Sequence, residues 1–428
     1  MAYRNNPGPG HLKNLNMNTL FLGDCDTGRL PADSLAYLAP YHYLGILKGV
    51  RSFRDDDRSK WRRFRENSGG DVALLQQFLF HAGFMPRGTI DGIFDYVTMA
   101  SVRLFQEYVR SVEGIKEMVP DGIVGGGTWD HIQRWQAAGK VADWKEHLSG
   151  NPSEEYSRWM SLLAKAKHHY GVTNHPIIAQ VEAYPGISDT LKINDWNTDN
   201  GQIHLLGIRR EQDRASASRE NDDLFILLIR GLVFKFWGST DPSQAMAYNF
   251  RQKTGRLDEA FLVEGQHKYR FGWHKISEES RVYRALKPYR HGVLVFRDRD
   301  DDNALTEADL KTGIDPEPNQ TINIHWSGIG SSNWSAGCQV IAGQSYINHR
   351  DELVDCSAFA AGGYSSLSDT GKKTKGAYNV FADLILSFAP EGTDYLYYTL
   401  GREKSLDLDL LIGHNYAAGA VKRMKSLA

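Results

Sequence analysis

The residues best suited to chemistry lie in one segment, residues 321–341. His325 stands near the end of a predicted strand, and Cys338 opens the next strand after a loop rich in glycine and serine. Neighbouring strands lie about 4.8 Å apart, so pairing of these two would bring the imidazole and the thiol together. An imidazole that accepts the thiol proton makes the sulfur a nucleophile. The pattern therefore predicts Cys338 as a nucleophile and His325 as its base.

Five further residues are candidates for the same site. Gly337 leaves the main-chain N–H groups beside the thiol unobstructed, which suits an oxyanion hole. Ser335 is a candidate to hydrogen-bond the imidazole or to line that hole, and His274 is a candidate for substrate contact or for support of the site. Trp326 and Trp334 flank the loop and are candidates for a substrate-binding platform, with core packing as the alternative.

Short strands are the elements that must position these side chains. Beyond residue 174, β-branched and aromatic runs alternate with turns rich in Gly, Asp and Asn, which favours a mainly β domain of sandwich or barrel type. Strands are predicted at residues 203–208, 224–229, 282–286, 293–296, 321–326, 339–342 and 395–400. The predicted organisation is an N-terminal region of unknown role (1–60), a helical module (61–137), a helical connector (138–175), the β domain (176–406) and a C-terminal tail (407–428).

The helical module contains a repeated turn. Helical spacing of apolar residues runs from Asp71 to Gly83. An Asp-Gly-Ile turn at residues 91–93 then recurs at residues 121–123, and in each copy a threonine follows as the predicted N-cap of the next helix. These threonines are Thr98 and Thr128. The pattern predicts three short helices joined by two Asp-Gly turns.

This module resembles the peptidoglycan-binding domain found beside many bacterial cell-wall hydrolases. The resemblance is carried by Gly70-Asp71-Val72, Leu75-Gln76, Asp91-Gly92, Phe105-Gln106, Asp121-Gly122-Ile123-Val124-Gly125 and Thr128-Trp129. The segment from Val109 to Pro120 is longer than in that family. The resemblance implies peptidoglycan as a partner. The predicted fold class is thus an α+β multidomain protein, with a small three-helix module followed by a mainly β domain.

The cysteine segment resembles the catalytic motif of the L,D-transpeptidases, in which a histidine precedes Ser/Thr-His-Gly-Cys. Ile324-His325 and Ser335-Ala336-Gly337-Cys338 carry the resemblance, and it is closer still to phage and bacterial wall-associated proteins with an INIH…WSAGCQV signature. It implies an L,D-transpeptidase-like sandwich in which Cys338 forms an acyl-enzyme with a stem-peptide carbonyl and His325 serves as base, then acid. Ala336 and Val340 depart from the transpeptidase pattern, which leaves transfer to an amine and hydrolysis both open.

An acidic run has the spacing of a calcium-binding loop. Asp298, Asp300 and Asp302 stand at alternate positions, with Thr306 and Asp309 following. A solvated acidic loop is the alternative interpretation. Neither this run nor the rest of the sequence predicts a required cofactor.

Composition excludes several classes of protein. The 428 residues include 50 Lys and Arg against 52 Asp and Glu, a net charge of −2, without the basic excess typical of nucleic-acid binders. The three cysteines, Cys25, Cys338 and Cys356, form no disulfide framework. Residues 1–20 lack the apolar segment of a signal peptide, and no membrane span is predicted. The sequence predicts synthesis in the cytoplasm without a Sec signal and action at the wall or periplasm after lysis or specialised delivery.

Three alternative functions stay open at this point. An NlpC-like peptidase would pair Cys338 with His414 as its base. A zinc amidase or peptidase would use His274, His291 or His325 as ligands. In a non-enzymatic role, the chain would be a wall-binding component or cargo of a phage tail or contractile injection apparatus.

Overall fold

The computed structural model describes most of the chain in two compact units. The described residues are 18–30, 64–66, 69–210, 220–243, 246, 248–249, 252, 259–274, 283–299, 305–363, 374–403, 405 and 416–427. Of these, 18–30, 64–146 and 386–388 belong to the first unit and the others to the second. Most of the predicted N-terminal region lies outside the described residues, including residues 1–17 of the segment that was predicted to lack a signal peptide. Asp300, Asp302 and His414 also lie outside them. Among the described helices, none is long and apolar enough to cross a bilayer.

The described elements follow the predicted order of a helical module and a strand-rich domain. The helices are α1 (Asp71–Ala82), α2 (Tyr96–Ser111), α3 (Gly126–Ala137), α4 (Glu154–Val172), α5 (Pro176–Ala183), α6 (Glu307–Thr312), α7 (Ala377–Phe388) and α8 (Tyr416–Lys425). The strands are β1 (Asp24–Cys25), β2 (Arg65–Glu66), β3 (His204–Arg209), β4 (Asp223–Ile229), β5 (Leu232–Ser239), β6 (Ala260–Leu262), β7 (Gly265–His274), β8 (Tyr283–Pro288), β9 (Val295–Arg297), β10 (Ile324–Trp326), β11 (Gln339–Ile341), β12 (Ser345–Ile347), β13 (Leu353–Asp355) and β14 (Leu396–Arg402).

Eight of the described strands in the second unit close into a barrel-like sheet. Their order is β11-β10-β8-β7-β14-β3-β4-β5, and β5 returns to pair with β11 while β12 and β13 extend from it. Gly238 permits this closure, because a Cβ at that position would lie 1.8 Å from the carbonyl oxygen of Val340. Of the two architectures that the sequence left open, the described strands thus form a closed sheet.

Helices cover both faces of this sheet. Trp237 of β5 is fully buried in a cluster that includes Trp159 of α4 and Met424 of α8. The preceding residue, Phe236, points to the opposite face, as alternation requires, and packs edge-on against Phe381 of α7 at 5.4 Å. The segment predicted as a C-terminal tail therefore contains a helix that contributes Met424 to the core.

The first unit contains the three predicted helices. Helix α1 ends where the sequence predicted, at Gly83, whose φ of 92° is in the left-handed region that glycine adopts without strain. Strand β1 pairs in parallel with β2 within the same unit.

Two buried glutamines hold the two Asp-Gly turns in the same way. The side-chain amide of Gln76 donates to Asp91, to the carbonyl of Ile93 and to the hydroxyl of Thr98, and its oxygen accepts the N–H groups of residues 91 and 92. Thirty residues later, Gln106 makes the corresponding bonds to Asp121, Ile123, Thr128 and the N–H of Gly122. The repeat therefore includes the glutamines as well as the turns.

The predicted helix caps are wrong. Asp95 is the N-cap of α2, accepting the N–H groups of Val97 and Thr98, and Gly125 is the N-cap position of α3. Thr98 and Thr128 lie inside their helices. Their hydroxyls bond to the buried glutamines and to carbonyls of the turns, and they do not cap the helices.

Replacement of Gln76 by alanine should destabilise the module by about 2–4 kcal/mol, because two turn N–H groups lose their acceptor. Hydrogen exchange of the main-chain amides of α1, measured in the full chain, gives the free energy of unfolding of this module. Gln77 is exposed on the same helix, so Gln77→Ala should change the free energy of unfolding of the module by no more than about 0.5 kcal/mol. Equal effects of the two substitutions would contradict a structural role for the glutamine.

Candidate active site

Parallel pairing of β10 and β11 places His325 and Cys338 on one face of the sheet. His325 pairs with Val340, and Cys338 stands two residues before Val340. Cys338 directly precedes β11, and strand alternation extended by one residue puts it on the face of His325. The predicted pairing of the two segments is confirmed, with His325 in the middle of β10 and Cys338 directly before β11.

Hydrogen bonds select the tautomer of His325. Its Nδ1 lies 2.8 Å from the carbonyl oxygen of Trp326 and 3.0 Å from the hydroxyl of Tyr283. A carbonyl oxygen only accepts, so Nδ1 carries the proton and Nε2 holds the lone pair. The Tyr283 hydroxyl also donates to the same carbonyl at 3.3 Å. When the ring is neutral, Nε2 of His325 is therefore the nitrogen that can accept a proton.

The thiol of Cys338 lies between two main-chain groups of the neighbouring strand segment. It donates to the carbonyl of Thr321 at 3.2 Å, and the N–H of Asn323 points to Sγ at 3.4 Å. Main-chain groups of residues 321 and 323 therefore bind both the thiol proton and the sulfur atom. Cys338 is partly exposed, whereas Cys25 and Cys356 are buried, so the sulfur is also open to a substrate.

His274 and Asn323 complete the cluster around the base. The imidazoles of His274 and His325 stack with ring centroids 4.1 Å apart and an interplanar angle of 24°. The side-chain amide of Asn323 donates to Nδ1 of His274 at 3.2 Å, which places the proton of His274 on Nε2.

Ser335 and Gly337 bond to each other. The buried Ser335 hydroxyl accepts the N–H of Gly337 at 3.3 Å, and the N–H of Gln339 donates to the carbonyl of Asn323 at 2.8 Å. The amide of Gly337, which the sequence assigned to an oxyanion hole, is therefore engaged by Ser335.

Only one of the two candidate platform tryptophans presents its ring to solvent. Trp334 is 64% exposed, whereas Trp326 is 2% exposed. The ring of Trp326 packs beside Tyr283 and lies 5.4 Å from the ammonium group of Lys375. The burial of Trp326 contradicts its prediction as a substrate-binding platform. Of the two tryptophans, only Trp334 remains a candidate for that role.

Two buried asparagines hold the loop between the base and the nucleophile. The side-chain amide of Asn221 donates to the hydroxyl of Ser327 and to the carbonyls of Gly330 and Ser332 at 3.1–3.3 Å. Asn333 donates to the carbonyl of Asp241 at 2.7 Å. The glycine-rich loop is thereby fixed along its length.

The acidic run is used, in part, to begin a helix. The carboxylate of Asp309 accepts the N–H groups of Thr306 and Arg299, and Thr306 and Asp309 form a capping box at the start of α6. Asp298 is fully buried. Within the described part of the chain, no group of three or more His, Cys, Asp or Glu side chains is arranged to hold a metal ion.

Asn323 and Tyr283 were not among the site residues predicted from the sequence. Asn323 stands two residues before His325, so strand alternation was a signal that would have placed it on the face of the base. Tyr283 comes from β8, which pairs with β10 through Leu286 and Ile324. Only the strand order brings that hydroxyl to His325.

Alkylation of the native chain should occur at Cys338 alone. Burial, together with the carboxylates of Asp24 and Asp26, raises the pKa of the Cys25 thiol to about 12, so this thiol stays protonated and inaccessible. Cys356 is also fully buried. Peptide mass spectrometry after iodoacetamide treatment should find one modified site. Faster modification of Cys356 than of Cys338 would contradict this assignment.

Comparison with known proteins assigns the first unit. No curated protein and no solved structure matches the chain. Residues 68–132 match the family model described as "Putative peptidoglycan binding domain", which covers α1, α2 and most of α3. The chain therefore contains a peptidoglycan-binding domain, followed by a mainly β domain that carries the candidate site at Cys338 and His325.

Proposed function

We propose that this chain is a wall-targeted cysteine enzyme that cleaves or exchanges peptide bonds in the stem peptides of peptidoglycan. The observation that carries the proposal is the placement of Cys338 and His325 on one face of paired strands, with Nδ1 of His325 bound to the carbonyl of Trp326. The peptidoglycan-binding domain supports the choice of polymer.

The proposed reaction begins with proton transfer from Cys338 to Nε2 of His325. The thiolate attacks the carbonyl carbon of a stem-peptide amide, and the C–S bond forms as the carbonyl oxygen becomes negative. The C–N bond then breaks, and the imidazolium returns its proton to the leaving amine. The product is a thioester on Cys338 and a free amine.

The second half of the reaction releases the acyl group. An incoming amine or water attacks the thioester while His325 accepts its proton, and the sulfur leaves as thiolate. An amine acceptor gives transpeptidation, and water gives carboxypeptidase or endopeptidase activity. The L,D-transpeptidase-like resemblance favours stem peptides as donors and leaves the acceptor open.

Neighbouring groups would assist this cycle without touching the substrate carbonyl. The Asn323 N–H stabilises the thiolate, and Tyr283 with the Trp326 carbonyl orients the base. The ring of His274 stacks on that of His325 and would help to hold the base in place. Trp334 is exposed beside the site and offers an aromatic surface to the polymer.

The binding domain would raise the local concentration of substrate. A domain that holds the polymer converts encounter with each stem peptide into an intramolecular search. This effect depends on the first unit and not on Cys338. Mutations in the binding domain and at Cys338 would therefore test polymer binding and catalysis separately.

The direct test is the muropeptide mass profile of purified sacculi incubated with the full chain. Cys338→Ala should lower the rate of profile change by at least about 10³-fold and His325→Gln by about 10²–10³-fold. Cys356→Ala removes the other thiol of the same unit and should retain activity. Both inactive variants should still bind sacculi, because the binding domain is untouched.

Other outcomes would identify the alternatives. Loss of activity in His414→Ala with full activity in His325→Gln would support an NlpC-like arrangement, and inhibition by EDTA would support a zinc enzyme. Binding of sacculi by wild-type protein without any change in muropeptides would support a non-catalytic component or cargo of a phage tail or injection apparatus. Each of these results would contradict the proposed function.

A further inference from the structure

The second unit has a cleft that the proposed reaction does not use. It has a volume of about 650 Å³, within the range of sites that hold small organic ligands. Its lining includes apolar side chains of the sheet and of α7, and its polar part includes Arg270, Tyr289, Arg290, Asp394 and Tyr395.

Two tyrosines form an aromatic corner in this cleft. The rings of Tyr289 and Tyr395 have centroids 4.7 Å apart and are tilted by 50°. Both side chains are half-buried, so packing holds the rings while part of each faces the cleft. Such a corner can pack against the apolar face of a sugar ring or a short aliphatic chain.

Three cations surround the corner without carboxylate partners among the described residues. The guanidinium of Arg290 lies 4.6 Å from the Tyr289 ring, and the ammonium of Lys268 lies 4.8 Å from the Tyr395 ring. Arg270 is exposed in the lining. Within the described part of the chain, Asp394 is the one carboxylate that lines the cleft. A ligand that fills this site is therefore expected to be an anion.

The cleft and the candidate active site share a wall. Tyr269, in the lining, donates its hydroxyl to the carbonyl of Ile322 at 3.0 Å. The Gln320 side chain donates to the carbonyl of Arg290 at 3.2 Å, and the next residue, Thr321, accepts from the Cys338 thiol. Residues 320–322 therefore connect the rim of the cleft to the nucleophile.

We propose that this cleft binds a carboxylate-bearing fragment of peptidoglycan, with Arg270 and Arg290 on the carboxylate and the two tyrosines against its ring or aliphatic part. Guanidinium groups bind carboxylates through paired, charge-assisted hydrogen bonds. The proposal rests on the proposed function for the identity of the polymer, and it adds a second contact for a substrate whose reacting carbonyl lies at Cys338.

The test measures binding in the absence of turnover. The full chain carrying Cys338→Ala is titrated calorimetrically with a soluble tetrapeptide muropeptide that has free carboxylates. Replacing both arginines, R270Q/R290Q, should raise the Kd at least tenfold. The matched control R158Q/K165Q removes two cations from α4 in the same unit, and it should change the Kd less than twofold. The same muropeptide with its carboxylates amidated should bind the Cys338→Ala protein weakly. Its Kd should equal that of the free acid for the R270Q/R290Q variant.

Hydrogen exchange locates the ligand on the same protein. Added muropeptide should slow exchange in residues 283–290 and 393–400. An unchanged Kd in R270Q/R290Q, equal affinity for the amidated ligand, or protection confined to residues 69–137 would each overturn the proposal. Because Cys338→Ala cannot turn over, inactivity of the wild-type protein would leave this result unaffected, so the two proposals fail separately.

Discussion

The candidate active site depends on the register between β10 and β11. Both strands are only three residues long, and His325 opposite Val340 is the pairing that puts the imidazole on the face of Cys338. A slip of one residue would turn the histidine to the other face and separate base from nucleophile. Two tyrosines support β10: the hydroxyl of Tyr269 donates to the carbonyl of Ile322 just before the strand, and that of Tyr378 lies 2.7 Å from the carbonyl of Arg284 and 3.4 Å from that of Ile324. Closure of the sheet at Gly238 holds β11 from its other edge.

Buried amides repeatedly fix the loops that carry functional residues. Gln76 and Gln106 hold the turns of the binding domain, and Asn221 holds the loop that precedes Cys338. In each case one side chain binds several main-chain groups, so a loop acquires a single conformation without needing a helix or strand of its own. Binding and proposed catalysis thus depend on the same physical device in separate units.

Local patterns predicted the elements better than the contacts between them. Alternation and turn residues located β10, β11 and β14, and helical spacing with a glycine stop located α1. The caps at Thr98 and Thr128 were predicted wrongly, because their hydroxyls bond to glutamines that lie 22 residues earlier in the chain. Burial of Trp326 and the bond between Ser335 and Gly337 likewise follow from tertiary packing. The aromatic corner at Tyr289 and Tyr395 joins residues far apart in sequence, so only the fold reveals it.

The central claim is that Cys338 carries an acyl group during turnover. Intact-protein mass spectrometry tests this directly, with the full chain mixed with excess soluble muropeptide and quenched in acid within the first turnovers. The account predicts a mass increase equal to the acyl fragment, located on the peptide that contains Cys338 and absent from Cys338→Ala. Turnover of muropeptide with no adduct, or with an adduct on another residue, would contradict it.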